Sequence, residues 1–287
     1  MTLEVEEIRL QLPHIELAAR VYGPVDGRPV LALHGWLDNA ASFARLAPRL
    51  SGLRIVALDL AGHGHSDHRP AGASYALWDY AHDVLQVAEQ LGWPRFSLLG
   101  HSMGAIVAVL LAASMPERVE RLALIDGLVP PTTEAEQAVA TLGQALRGQL
   151  SLPSKRKPVY PSLERAAEVR QRGVGLVSLE AAQLLAQRGL MPVPGGYTWR
   201  TDARLTLTSP LRLTLAHVQA FAAALQCPAR LVLAEQGLLV ARDGLQELLA
   251  ATDIQVERLP GGHHLHLDDE QGAQLVAACF NPFLSAP

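Results

Sequence analysis

Residues 96–108 read FSLLGHSMGAIVA. An apolar run able to form a buried strand leads into Gly100-His101-Ser102-Met103-Gly104, and an apolar helical run follows at once. Glycines at both ends of that pentapeptide let the main chain turn sharply from strand to helix without side-chain clashes. The turn lifts the Ser102 Oγ clear of the sheet, at the positive N-terminus of the following helix. A bare G-x-S-x-G string is a common small-residue turn, and its strand and helix flanks make this one a nucleophile position. A strand feeding directly into a helix also belongs to a β-α unit, so the rest of the chain is expected to supply more of them.

It does. Glu7 to Leu12 and Ile15 to Tyr22 alternate like strands and break at Pro13-His14, which predicts a hairpin. Pro29–Leu33, Arg54–Leu58, Phe96–Leu99, Arg121–Ile125 and Ala229–Ala234 are short continuous apolar runs. Such runs, separated by helices, are the mark of a parallel sheet covered on both faces. The intervening patterns predict helices over Ser42–Leu50, Leu77–Leu91 and Ser102–Ser114, the second ending at Gly92. From Val129 to about Ser209 the rhythm stops, with prolines at 130, 131, 153, 158, 161, 192 and 194. It resumes with a helix over Leu215–Leu225, the Ala229–Ala234 strand and a strand-helix unit from Ile254 to Phe280. A loop of that length without structure of its own is foreign to a compact domain. The prediction is therefore an α/β core, residues 1–128 and 210–287, with a helical cap over 129–209.

Composition excludes several classes. With 49% hydrophobic and 18% charged residues, the chain of 287 residues has the make-up of a folded globule, not a disordered one. A net charge of −4 without a block of like charge gives no footprint for nucleic acid or an anionic membrane. The acidic start, Met1 to Glu7, lacks a signal-peptide h-region, and the longest apolar stretch, Gly104 to Ala113, is half a membrane span. Cys227 and Cys279 make no disulfide framework. The expectation is a soluble cytoplasmic protein, a monomer or homodimer, acting on a small molecule without nucleic acid or membrane.

A serine nucleophile needs a base, and the base needs an acid to hold its tautomer. The richest candidate segment for the base is Leu259–Asp268, with histidines at 263, 264 and 266 after a predicted strand. Those histidines form no H-E-x-x-H pattern and have no cysteine cluster beside them, so neither a metal nor another cofactor is expected. The histidines at 63, 65 and 68 read as a polar loop. Asp59, at a strand end, is expected to hold that loop by hydrogen bonds, and Tyr160, Tyr197 and Trp199 to pack.

The chain resembles the α/β-hydrolases, in particular a capped serine-hydrolase-like branch near the haloalkane dehalogenases and epoxide hydrolases. The resemblance lies in LALHGWLDNAASF (31–43), VALDLAGHGHSDHRP (56–70), FSLLGHSMG (96–104), RLALIDGL (121–128) and LPGGHHLHLD (259–268). These stretches stand in the family's order and cover everything but the cap. The resemblance implies an eight-stranded, mostly parallel sheet with helices on both faces and the cap inserted after the strand ending at Asp126. It makes His263 the base, with His264 and His266 as neighbours. It also implies an oxyanion hole from the backbone N–H groups of Met103 and Trp36, with His34 and Gly35 shaping the turn.

The acid departs from the common pattern. Most of the family carries it in a G-E-x-D-like turn, where this chain reads Ala234-Glu235-Gln236-Gly237. Some dehalogenases place it one strand earlier, which falls on Asp126. Glu235 and Asp243 remain the alternatives. The implied chemistry is hydrolysis of a small or medium carboxylic ester through an acyl-enzyme. Cleavage of a carbon–carbon bond in a diketone, or an idle scaffold that binds a ligand, are the alternatives. The family branches that open epoxides or remove halide attack with aspartate, and Ser102 disfavours both activities.

Overall fold

The computed structural model describes residues 5–173 and 175–286, so Met1–Glu4, Val174 and Pro287 lie outside the described residues. Strands β1 (Glu6–Gln11) and β2 (Glu16–Tyr22) form the antiparallel hairpin expected around Pro13. Strands β3 (Arg28–Leu33) and β4 (Leu53–Leu58) pair in parallel. Between them the expected Ser42–Leu50 helix is absent. Two short 3₁₀ turns, Ala40–Phe43 and Ala47–Arg49, stand there instead. Pro48, with no N–H and a ring that crowds the preceding turn, stops an α-helix from continuing through this stretch.

Helix α1 (Leu77–Gln90) leads to β5 (Phe96–His101), α2 (Met103–Ser114) and β6 (Val119–Ile125). The chain then leaves the sheet. The insertion holds α3 (Ala138–Ser151), α4 (Leu163–Gln171) and α5 (Leu179–Gly189), then an antiparallel hairpin of β7 (Leu190–Val193) and β8 (Gly196–Trp199). The hairpin corrects the purely helical expectation for this stretch. Pro194-Gly195 forms the turn between its strands, and Gly195 takes φ 88°, a conformation open to glycine at no steric cost. Helix α6 (Leu215–Ala223), β9 (Ala229–Gln236), α7 (Leu245–Ala250), β10 (Gln255–Gly262), the short α8 (Leu265–Asp268) and α9 (Glu270–Leu284) complete the chain.

The eight-stranded sheet has the order β1-β2-β4-β3-β5-β6-β9-β10 and is parallel from β4 onward. Every residue of β5 is buried, as expected of a strand covered on both faces. On one face Val84, Val87, Val107, Leu111 and Val218 pack against the sheet, and on the other Phe43, Leu46, Val276 and Phe280 do so. The insertion has its own cluster, in which α4 and α5 close on Val177, Leu190 and Leu267 with Tyr160, Tyr197 and Trp199 against them. Those aromatics therefore pack. No described helix is long and apolar enough to cross a membrane.

Candidate active site

Ser102 sits between β5 and α2 with φ 52° and ψ −115°, a strained conformation for a residue with a Cβ. Close packing dictates the flanking glycines. A Cβ on Gly104 would lie 2.0 Å from the Leu33 carbonyl oxygen, and one on Gly100 would lie 2.5 Å from the Ala105 Cα. Any larger residue would push the helix off the sheet. Among the described residues no hydrogen bond holds the Ser102 hydroxyl, which stands at the α2 N-terminus.

Register brings the next residue in. His101 of β5 faces Ile125 of β6, so Ser102 and Asp126 leave the sheet side by side. The Ser102 N–H donates to the Ile125 carbonyl at 3.0 Å. Asp126 also takes a positive φ, 40°, a region that aspartate enters more readily than most residues. Its carboxylate is buried, and His263 Nδ1 lies 2.5 Å from Oδ2. The Leu238 N–H donates to the same oxygen at 2.9 Å. With its Nδ1–H fixed on the carboxylate, the His263 ring presents a bare Nε2.

Gly237 explains the departure seen in the sequence. A Cβ at 237 would lie 2.3 Å and 2.4 Å from the Asp126 carboxylate oxygens. The carboxylate from β6 thus fills the space a side chain at the common family position would need. Glu235 and Asp243 are exposed and reach no histidine among the described residues.

The loop after β3 approaches from the other side. His34 is fully buried and donates from Nδ1 to the Gly35 carbonyl at 2.7 Å, while its Nε2 accepts the Leu60 N–H at 3.0 Å. The Leu37 N–H is taken by His63 Nε2 at 3.3 Å and the Asp38 N–H by the Gly35 carbonyl at 3.1 Å. The Trp36 and Met103 backbone N–H groups take no partner among the described residues, so both stay available as donors. The Trp36 indole is partly exposed and donates to the Leu205 carbonyl at 2.9 Å.

His63 corrects the sequence reading of a polar loop. It is completely buried, and burial pushes its pKa down to about 3. As expected, Asp59 holds the loop, accepting the Ala40 and His65 N–H groups at 2.7 Å each. His266 bonds the Ser42 Oγ at 3.0 Å.

Charged residues of the insertion also reach the core, and no sequence pattern marked them. Arg188 of α5, almost fully buried, places its Nε 2.9 Å from each Asp59 carboxylate oxygen and its Nη1 2.7 Å from Glu7 Oε1. Arg170 of α4 donates to Asp38 Oδ1 at 2.7 Å, and His264 Nε2 lies 3.0 Å from Asp38 Oδ2. Gly175 packs so tightly on the His263 ring that a Cβ there would lie 2.7 Å from Cδ2. The insertion therefore lies directly over the candidate base.

The model of the alpha/beta hydrolase fold matches residues 28–270. The chain belongs to the α/β hydrolase family. Within it, a serine hydrolase-like protein of Danio rerio is 34% identical over 98% of this chain and 89% of its own. A crystal structure of a hypothetical protein from Pseudomonas aeruginosa PAO1 is 69% identical, covers 97% of this chain and 99% of its own, and has a TM-score of 0.95. The thioesterase domain of a curacin biosynthetic pathway is 28% identical with a TM-score of 0.84, covering 96% of this chain and 99% of its own. Together these matches support a hydrolase of the α/β fold.

Proposed function

We propose that this chain is a serine hydrolase that cleaves a small or medium carboxylic ester through an acyl-enzyme. Ser102 is the nucleophile, His263 the base, and Asp126 the acid that orients the imidazole and stabilises its charged form. The backbone N–H groups of Trp36 and Met103 bind the oxyanion. Residues 129–209 act as a cap that shields the site and excludes polymers. The observation that carries this reading is the 2.5 Å contact between His263 Nδ1 and Asp126, beside a serine in a strained strand-to-helix turn.

In the reaction His263 Nε2 takes the Ser102 proton as Oγ attacks the carbonyl carbon, and the electron pair moves onto the carbonyl oxygen. The imidazolium then protonates the leaving alkoxide and the tetrahedral centre collapses to the acyl-enzyme. Water, deprotonated by His263, repeats the attack, releases the acid and restores Ser102. A thioester would follow the same path with a thiolate leaving group. The likeness to the thioesterase domain of the curacin pathway makes that a natural second substrate class. An idle binding scaffold would be favoured by a His263 Nδ1 without a carboxylate, and Asp126 occupies that position.

Hydrolysis of a p-nitrophenyl ester series by wild type and Ser102→Ala tests the reading, with fluorophosphonate labelling read by peptide mass spectrometry. Chain-length-dependent turnover lost in Ser102→Ala, with the label on Ser102, is the expected result. Labelling elsewhere, or turnover that survives in the variant, would overturn it.

A further inference from the structure

Behind the proposed triad lies a second polar cluster that the mechanism does not use. Asp38 comes from the loop after β3, His101 from the nucleophile turn and His264 from the residue after the base. All three are buried, and one ligand-capable atom from each lies within 4.8 Å of the others. His264 Nε2 is 3.0 Å and His101 Nδ1 3.8 Å from Asp38 Oδ2.

The proton positions make the cluster unusual. His101 Nε2 faces the His263 carbonyl at 2.9 Å, and a carbonyl only accepts, so Nε2 carries the hydrogen. With the hydrogen so placed on Nε2, the neutral ring's Nδ1 is a bare lone pair. That lone pair has no hydrogen-bond partner, is completely buried and faces the Asp38 carboxylate. Asp38 Oδ2 faces that lone pair at 3.8 Å, while Arg170 Nη2 and His264 Nε2 contact Oδ1 and Oδ2 of the same carboxylate at 2.7 Å and 3.0 Å. Gly35 borders the gap between ring and carboxylate: a Cβ there would sit 3.0 Å from His101 Nδ1 and 3.2 Å from Asp38 Oδ2.

His264 has a matching arrangement. Its Nδ1 faces the Leu176 carbonyl at 3.3 Å and its Nε2 faces Asp38. A neutral ring has one N–H for these two acceptors. Placing it on Nδ1 frees Nε2 as a second lone pair directed at the same gap. Imidazoles whose outer nitrogens donate to backbone carbonyls while their inner nitrogens converge with a carboxylate are the second-shell pattern of metal-ligating histidines.

We propose that Asp38, His101 and His264 form a site for one divalent transition-metal ion of the zinc class, and that filling it inhibits the enzyme. Two imidazoles and one carboxylate suit zinc, nickel or cobalt, with a fourth position left to water. Ligand bonds of about 2.0–2.2 Å in a tetrahedron put ligand atoms roughly 3.3 Å apart, so the spacings of 3.0 Å, 3.8 Å and at most 4.8 Å must close around the ion. Binding moves the His264 proton from Nε2 to Nδ1 and needs no redox partner. The expectation that the chain takes no metal is revised because the ligands come from three separated segments, which no spacing motif reveals.

Inhibition rests on the proposed function, whereas binding does not. The His101 and His263 rings lie 4.7 Å apart, so a dication at His101 Nδ1 opposes the imidazolium that His263 must become. Arg170 already supplies a positive charge, 2.7 Å from Asp38 Oδ1 and 3.3 Å from His264 Nε2, and competes with the ion.

Calorimetric titration of the full chain with Zn²⁺, and the visible spectrum of its Co²⁺ complex, test the site. The background is His14→Gln/His82→Gln, because the exposed His14 and His82 form a cluster of similar spacing with the buried Asp83. One ion per chain, with the intense Co²⁺ bands of a four-coordinate site, is expected. Asp38→Asn and His264→Gln should each weaken binding by about 100-fold, at the upper end of shell effects. Arg170→Met should tighten it at least about tenfold by removing the competing charge. Zn²⁺ bound without loss of turnover refutes the inhibition and leaves the site. Failure of the background protein to bind Zn²⁺, or binding unchanged or weakened in Arg170→Met, overturns the site without reference to activity.

Discussion

Replacing Gly237 by alanine tests the acid without altering any ionisable group. The glycine has no positive φ, so the main chain accepts alanine without backbone strain. The added Cβ meets the Asp126 oxygens at 2.3 Å and 2.4 Å and the Cγ at 2.5 Å, against an ordinary contact near 3.4 Å. The carboxylate must therefore retreat by about 1 Å, which opens the 2.5 Å bond to His263 Nδ1 to roughly 3.5 Å, beyond a useful hydrogen bond. A misplacement of about 1 Å costs on the order of 10² in rate. Loss of the acid's orienting role costs about 10⁴ in the best-studied triad. The expected fall in kcat is therefore about 10² to 10⁴, with a stability loss of about 1–3 kcal/mol from overpacking. Steady-state kinetics on the best p-nitrophenyl ester, with a calorimetric melt, read both quantities. In an Asp126→Ala background the Cβ has room, so Gly237→Ala should add almost nothing. A folded Gly237→Ala with kcat within about threefold of wild type, far short of that misplacement cost, would refute the reasoning.

The same geometry sets four further outcomes. Asp126→Asn should lower kcat by about 10⁴ while Glu235→Gln leaves it unchanged; the reverse result would move the acid to 235. Ser102→Gly should be more stable than Ser102→Ala by about 1 kcal/mol, because glycine relieves the strained φ and ψ, as denaturant unfolding will show. Arg188→Met leaves Asp59 buried without its cation and should cost about 3–5 kcal/mol, seen as a melting temperature lower by roughly 10 °C. Finally, His63 is held neutral with a folded pKa of about 3 against 6.5 when exposed. The unfolded chain therefore binds the extra proton first, and stability falls as pH drops below 6.5. Linkage gives a loss of about 1.6 kcal/mol between pH 6.5 and 5 from this ring. Melts across that range should show the decline, and a smaller one in His63→Leu.

Much of this architecture was legible in the chain itself. The buried strands are continuous apolar runs, and the nucleophile turn is local, its glycines and serine lying within five residues. The departures from the local pattern have physical causes too. Pro48 cut the Ser42–Leu50 helix into 3₁₀ turns. The hairpin at 190–199 was hidden because its strands are four residues each, with Pro192 inside the first. His63 looked like a polar loop residue because its burial depends on His34, Tyr80 and Leu37, all distant in sequence.

The sequence alone determined the sheet, the strained serine and the need for a histidine and an acid, since each is written in local periodicity or in one short motif. It could not choose among Asp126, Glu235 and Asp243. The Asp126 assignment proposed above is steric and spans 111 positions: with β6 and β9 paired, the Asp126 carboxylate fills the space beside Gly237. Only the tertiary structure joined Arg188 to Asp59 and gathered Asp38, His101 and His264, because a buried charge or lone pair finds its partner through space, and nothing in the order of residues records which one it meets.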